Sequence, residues 1–165
     1  MVDAQLPRRA FIARFAAGAG ALAALRLGLA APALAQAGPT AQAGQPINAG
    51  PVASFPVGTA TRVGEMTIQR QPFGVWVARV ENGLIAYNDR CRHLGCKTRP
   101  FDPASGQFLC PCHGSRYDIH GGRVLGPTTM SLDLVKLDLR GGSVIVSPAD
   151  TTERDRFAPA QLVRV

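Results

Sequence analysis

All four cysteines and two of the three histidines of this 165-residue chain fall between Cys91 and Tyr117, a span of 27 residues. The stretch reads Cys91-Arg92-His93-Leu94-Gly95-Cys96, then thirteen residues, then Cys110-Pro111-Cys112-His113-Gly114-Ser115-Arg116-Tyr117. Thiolates and imidazoles concentrated on two short segments point to a metal centre, and the rest of the chain must then hold two loops face to face. The pairs Cys91-x-His93 and Cys110-x-x-His113 suit tetrahedral zinc. They equally suit a [2Fe-2S] cluster with two thiolates on one iron and two imidazoles on the other. Cys96 and Cys112 stand outside both pairs, and a zinc site has no use for them.

The N-terminus reads as an address. Arg8-Arg9-Ala10-Phe11-Ile12 opens a basic segment with paired arginines, an Ala/Gly/Leu-rich apolar run follows, and Ala33-Leu34-Ala35 offers small residues for cleavage. Residues 1–35 are therefore expected to be a Tat-type signal peptide or signal anchor, placing the domain on the periplasmic side of the cytoplasmic membrane, anchored or soluble. Arg26 inside the apolar span costs about 2.5–3.5 kcal/mol on an insertion scale, which together with Pro32 and the Ala-x-Ala site favours removal. Export makes disulfide chemistry available to the cysteines.

Residues 36–54 are rich in Gly, Pro, Ala and Gln without hydrophobic period and are expected to form a flexible linker. From 55 to 165 the pattern is that of strands. Val75–Val80 and Leu84–Tyr87 flank Glu81-Asn82-Gly83, whose Asn-Gly signals a hairpin; Leu132–Leu134 and Lys136–Arg140 alternate apolar with polar, and Gly141-Gly142 leads into Ser143–Ser147. No helical period follows the leader. The expected fold is all-β, a small antiparallel sandwich or barrel, with Phe73 and Trp76 in its core, His120 in an exposed turn and an irregular surface tail from Asp150. The formal charge of +7 invites a nucleic-acid reading. Residues 36–165 carry only 14 basic against 10 acidic residues, however, without a basic helix or aromatic-interleaved strand, so that class is excluded.

Cys91-x-His93-Leu94-Gly95-Cys96 and Cys110-Pro111-Cys112-His113-Gly114-Ser115-x-Tyr117 resemble the two cluster-binding boxes of the Rieske iron-sulfur proteins, in the high-potential, disulfide-bearing branch of cytochrome bc1 and b6f complexes. The likeness continues through Gly126-Pro127, the start of that family's proline loop, and spans roughly residues 60–155. It implies a Rieske-type β-fold with a two-loop cluster-binding subdomain and one [2Fe-2S] cluster. Cys91 and Cys110 would ligate one iron and His93 and His113 the other, with a Cys96–Cys112 disulfide joining the loops. Ser115 would hydrogen-bond a bridging sulfide and Tyr117 the sulfur of Cys91, each raising the potential. It further implies one-electron transfer in a quinol:cytochrome c oxidoreductase, with cytochrome b and a c-type cytochrome as partners and His93 and His113 accepting the quinol proton. The chain would then be an electron-transfer subunit rather than a complete enzyme. The other expectation is a soluble periplasmic Rieske carrier or the small subunit of an oxidoreductase similar to arsenite oxidase. Two departures from the family pattern stand out: Arg92 replaces the usual Thr between two ligands, and Thr128-Thr129 replaces Ala-Pro, which predicts a less rigid loop over the cluster.

Overall fold

The computed structural model describes residues 44–165. The expected export segment, residues 1–35, and the linker as far as residue 43 lie outside the described residues. Nine strands follow in order: β1 (Ile47–Pro51), β2 (Thr59–Ile68), β3 (Gln71–Val80), β4 (Gly83–Asn88), β5 (Gln107–Leu109), β6 (Arg116–Asp118), β7 (Arg123–Leu125), β8 (Leu134–Arg140) and β9 (Ser143–Thr152). Six form one sheet in the order β1-β9-β8-β4-β3-β2, and β5-β6-β7 form a second; all pairings are antiparallel. The outer strands β1 and β2 line opposite sides of one cleft, so the larger sheet nearly closes on itself. The all-β expectation is met. Among the described residues the helical elements are two short 3-10 turns, and no helix is long and apolar enough to cross a membrane.

Both expected hairpins form, with Val80 opposite Gly83 and Arg140 opposite Ser143. Alternation along β3 explains its near-continuous apolar sequence. Phe73, Val75 and Val77 pack inside with Leu84, Ala86, Leu137, Val144 and Val146. Trp76 and Ala78 face the other way and are covered by Tyr87, Phe108, Tyr117 and Leu132. Each fully buried side chain of this size contributes about 1.5–3 kcal/mol. Phe108 of β5 is a central contact between the two sheets: Trp76 and Tyr87 meet its ring edge-on, with centroids 5.4 and 5.6 Å away. The second sheet is thereby seated on the outer face of β3 and β4.

Three segments depart from the sequence expectation. Residues 47–54, assigned to the linker, instead form β1, paired with β9, and a 3-10 turn over Val52–Ser54. The tail is structural rather than a surface coil. Asp150–Thr152 extend β9, and Val163 exchanges backbone hydrogen bonds of 2.9 and 2.8 Å with Leu84. Gly83 permits this approach, since a Cβ there would lie 2.4 Å from the Val163 carbonyl oxygen. Arg154, only 6% exposed, donates to the carbonyls of Leu132 and His120 and to Gln161. Burial brings its guanidinium down to about 10, still charged at neutral pH. His120 is not free in solvent; its ring is half-buried and stacks on Phe157 at 4.1 Å.

Candidate metal centre

The connection from β4 to β5 carries Cys91, His93 and Cys96, and the connection from β5 to β6 carries Cys110, Cys112, His113 and Ser115. The two loops are conformational copies. The amide of Cys91 donates to the carbonyl of Cys96 and that of Gly95 to Cys91; likewise Cys110 donates to Ser115 and Gly114 to Cys110, at 2.8–3.1 Å. Gly95 and Gly114 occupy the same place in each loop with φ of 81° and 76°, a left-handed conformation natural to glycine. Asp89 fixes the entry of the first loop, accepting from the Gly74 amide at 2.7 Å and from Trp76 Nε1 at 3.2 Å.

The four expected ligands lie on the two loops as two pairs, the thiols of Cys91 and Cys110 beside one another and the imidazoles of His93 and His113 beside one another. Cys91 and Cys110 are free thiols, each 1% exposed. The rings of His93 and His113 lie with centroids 4.9 Å apart at 89°, His93 half-buried and His113 exposed. Cys96 and Cys112 form a disulfide across the two loops, with Cα atoms 6.6 Å apart. Their sulfurs and the Cys110 sulfur all lie within 4.8 Å of one another, but the bridge leaves only Cys110 of this trio with a thiolate to offer.

The surroundings favour negative charge on Cys91. Burial pushes its thiol up, yet donation from the Tyr117 hydroxyl, the His93 amide, Cys110 and Ser115 outweighs this, and the net shift is downward. Burial and the neighbouring Cys91 raise Cys110 instead. Tyr117 Oη lies 3.2 Å from Cys91 Sγ and accepts from the Arg92 amide at 3.1 Å. Burial, then the bond to Cys91, holds the Tyr117 phenol above its ordinary range. Ser115, fully buried, accepts the Thr128 amide at 3.3 Å, leaving its own proton to donate elsewhere.

A [2Fe-2S] cluster suits this donor set. Two buried thiols face the interior, two imidazoles stand toward the outside, and His93 Nδ1 is buried with no hydrogen-bond partner among the described residues. A buried imidazole nitrogen left unpaired is expected of a ligand atom.

Several residues shape the site in ways that sequence reasoning did not give. Thr128, expected to loosen the loop over the site, is buried and ties it down. Its amide bonds Ser115, its hydroxyl bonds the Met130 carbonyl at 3.0 Å, and its carbonyl accepts from Arg123. Gly126 brings this loop against the second box: its φ is 101° and a Cβ would lie 2.5 Å from Ser115 Cα. Arg92 turns to Asp133, Glu153 and Met130. Leu94 is 72% exposed beside His93, and Leu125 is exposed at the end of β7.

A family model described as Rieske [2Fe-2S] domain matches residues 47–136. Over 73 residues the chain is 41% identical to the cytochrome b6-f complex iron-sulfur subunit of Prochlorococcus marinus strain AS9601, covering 44% of this chain and 40% of that protein. Over 71 residues it is 45% identical to the cytochrome b6-f complex iron-sulfur subunit 3 of Nostoc sp. strain PCC 7120, covering 43% and 38% respectively. The chain thus spans about two-fifths of the length of these curated relatives. Among solved structures, the cyanobacterial plasma membrane Rieske protein PetC3 from Synechocystis PCC 6803 is similar at 25% identity with a TM-score of 0.47, covering 61% of this chain and 98% of that one.

Proposed function

The chain belongs to the family of Rieske [2Fe-2S] domains, and from that premise we propose that it is the iron-sulfur subunit of a quinol:cytochrome c oxidoreductase of the bc type. The observation that carries this reading is the division of the site into two buried thiols and two outward imidazoles, on loops stapled by Cys96–Cys112. Cys91 and Cys110 would hold one iron of the cluster, and His93 and His113 the other. The cluster, when bound, supplies a one-electron couple whose potential rises with neutral ligands and with hydrogen bonds to its sulfurs.

The protein residues around it have separable roles. Tyr117 donates to Cys91 and stabilises charge on that sulfur. Ser115, held by the amide of Thr128, would donate its proton to a sulfur of the bound cluster. The half-buried His93 and exposed His113 present imidazole edges to a quinol, taking its proton as the electron departs. The partners are a cytochrome b and a c-type cytochrome. Residues 1–35 export the chain through the Tat route, residues 36–46 form the tether, and the head begins at β1 on the periplasmic side.

Arg26 within the apolar leader favours a second reading, in which the leader is removed. The head is then a soluble periplasmic carrier, or the small subunit of an oxidoreductase resembling arsenite oxidase. Fractionating cells and identifying the chains that co-purify with the native protein separates the two. A membrane fraction containing b- and c-type cytochromes supports the bc-type assembly. Recovery in the periplasm with residues 1–35 absent and a molybdenum-containing partner would sink it.

A further inference from the structure

We propose that Arg92 is a positioning residue that locks the Tyr117 hydroxyl onto Cys91. The inference rests on the reading of Cys91 as a cluster ligand. Arg92 stands between two such ligands, where a flexible cation would ordinarily reach for solvent. Its side chain is instead 13% exposed. The guanidinium lies 3.2 and 3.3 Å from the two Asp133 carboxylate oxygens, 2.8 Å from Glu153 Oε1 and 3.6 Å from Met130 Sδ. Met130 belongs to the loop over the site, Asp133 leads from that loop into β8, and Glu153 follows β9. One side chain therefore fastens the first box to the covering loop and to the open end of the β8–β9 hairpin.

The main chain of the same residue faces the other way. Its amide donates to Tyr117 Oη at 3.1 Å, and that hydroxyl donates to Cys91 Sγ at 3.2 Å. A hydroxyl that accepts one bond donates the next more strongly, so the Arg92 peptide both aims and polarises the Tyr117 proton. Its direction depends on the peptide staying in place. Asp133, whose side chain is 8% exposed, supplies that constraint, since a charged pair largely out of water tolerates little displacement; the exposed Glu153 adds a second contact at the rim.

This role differs from a simple field effect of the cation. A positive charge near the cluster raises the potential whether or not Tyr117 has its hydroxyl, whereas a positioning role acts only through that hydroxyl. The test is a double-mutant cycle on the cluster-loaded head, reading the midpoint potential of wild type, Arg92→Gln, Tyr117→Phe and the double variant. Hydrogen exchange of the residue-92 amide in the cluster-free protein is read alongside it. Arg92→Gln is expected to lower the potential in the wild-type background and to have no further effect when Tyr117 is Phe. In cluster-free protein the amide should exchange roughly tenfold faster. Equal shifts in both backgrounds, or no shift together with unchanged exchange, overturn the proposal. Should Arg92→Gln fail to load, Arg92→Lys in cluster-free protein reads the same exchange: slower than wild type or unchanged contradicts the inference. Retention of a normal cluster spectrum by Cys91→Ala would instead sink the ligand reading beneath it.

Discussion

Tyr117 Oη stands 3.2 Å from the sulfur of Cys91, joining β6 to the first ligand loop through a single hydroxyl. A donor here favours the reduced cluster, in which the sulfur carries more charge. Tyr117→Phe should therefore load a cluster with an ordinary spectrum but a lower midpoint potential. A differential of about 1 kcal/mol corresponds to roughly 40 mV in a one-electron couple. Redox titration of the purified head measures this, and an unchanged potential removes Tyr117 from the tuning set.

Loss of either imidazole is expected to be more drastic. In the proposed ligand set, His93→Ala and His113→Ala would each take a ligand from the same iron, so both variants should purify without bound cluster while keeping the β-fold. Iron and acid-labile sulfide content, read beside circular dichroism, checks the pair. A variant with a full complement of both and a native spectrum removes that histidine from the ligand set.

The bridge between Cys96 and Cys112 spans 16 residues of sequence. Closing a loop of that size restricts the unfolded chain by about 3 kcal/mol in the chain-entropy account. The double variant Cys96→Ser/Cys112→Ser should lose about that much in urea unfolding of the cluster-free head. Equal stability of the two proteins would show that the bridge constrains nothing.

Tyr87 ties β4 to the second sheet, its hydroxyl donating to the Ile119 carbonyl at 2.7 Å. Tyr87→Phe should cost about 1 kcal/mol at neutral pH. Burial, followed by the charge of Asp118, holds the Tyr87 phenol above its ordinary value, despite the opposing pull of Arg154. A raised folded-state value means that the contribution is fully present below the unfolded value near 10 and is lost as pH rises through the folded one. The stability difference between wild type and Tyr87→Phe should thus stay constant up to about pH 10 and shrink only beyond it. A gap that already closes between pH 8 and 9 contradicts this, and paired denaturation curves read it.

Gly126 is where the covering loop meets the second box. Ala at this position meets both a left-handed φ of 101° and a Cβ placed 2.5 Å from Ser115 Cα. The loop must move, and the Thr128 amide must leave Ser115. Gly126→Ala should destabilise the head by about 1–3 kcal/mol and speed loss of the cluster in the presence of a chelator. Chelation kinetics matching wild type would mean that the loop does not guard the site.

The ligand boxes were legible in the sequence because their chemistry is local. Each carries its cysteine, histidine and left-handed glycine within six residues, and the repeat of Gly95 and Gly114 four places after a cysteine is itself the signature of two matching loops. The hairpins at Asn82-Gly83 and Gly141-Gly142 were equally local. What escaped depends on distant partners. Ile47–Pro51 contains Asn, Gly and Pro and becomes a strand only because β9, from the far end of the chain, offers an edge. Arg154 looks like a surface charge until its carbonyl partners Leu132 and His120 are known. Thr128-Thr129 suggested a looser cover because the pair lacks the proline of Ala-Pro, but the hydrogen bonds of Thr128 hold the loop to Ser115 and Met130. Arg92 and Asp133 stand 41 residues apart, and no pattern in either neighbourhood announces their pairing.

The central claim is the ligand set: two thiolates, Cys91 and Cys110, and two imidazoles, His93 and His113, around one [2Fe-2S] cluster. Pulsed EPR on the reduced protein tests it most directly, because ligand nitrogens couple to the cluster spin and thiolates do not. The account predicts two strongly coupled nitrogens, both replaced by ¹⁵N couplings when the protein is labelled at histidine alone. A reduced cluster without coupled histidine nitrogen, or an EPR-silent protein carrying zinc, would contradict it.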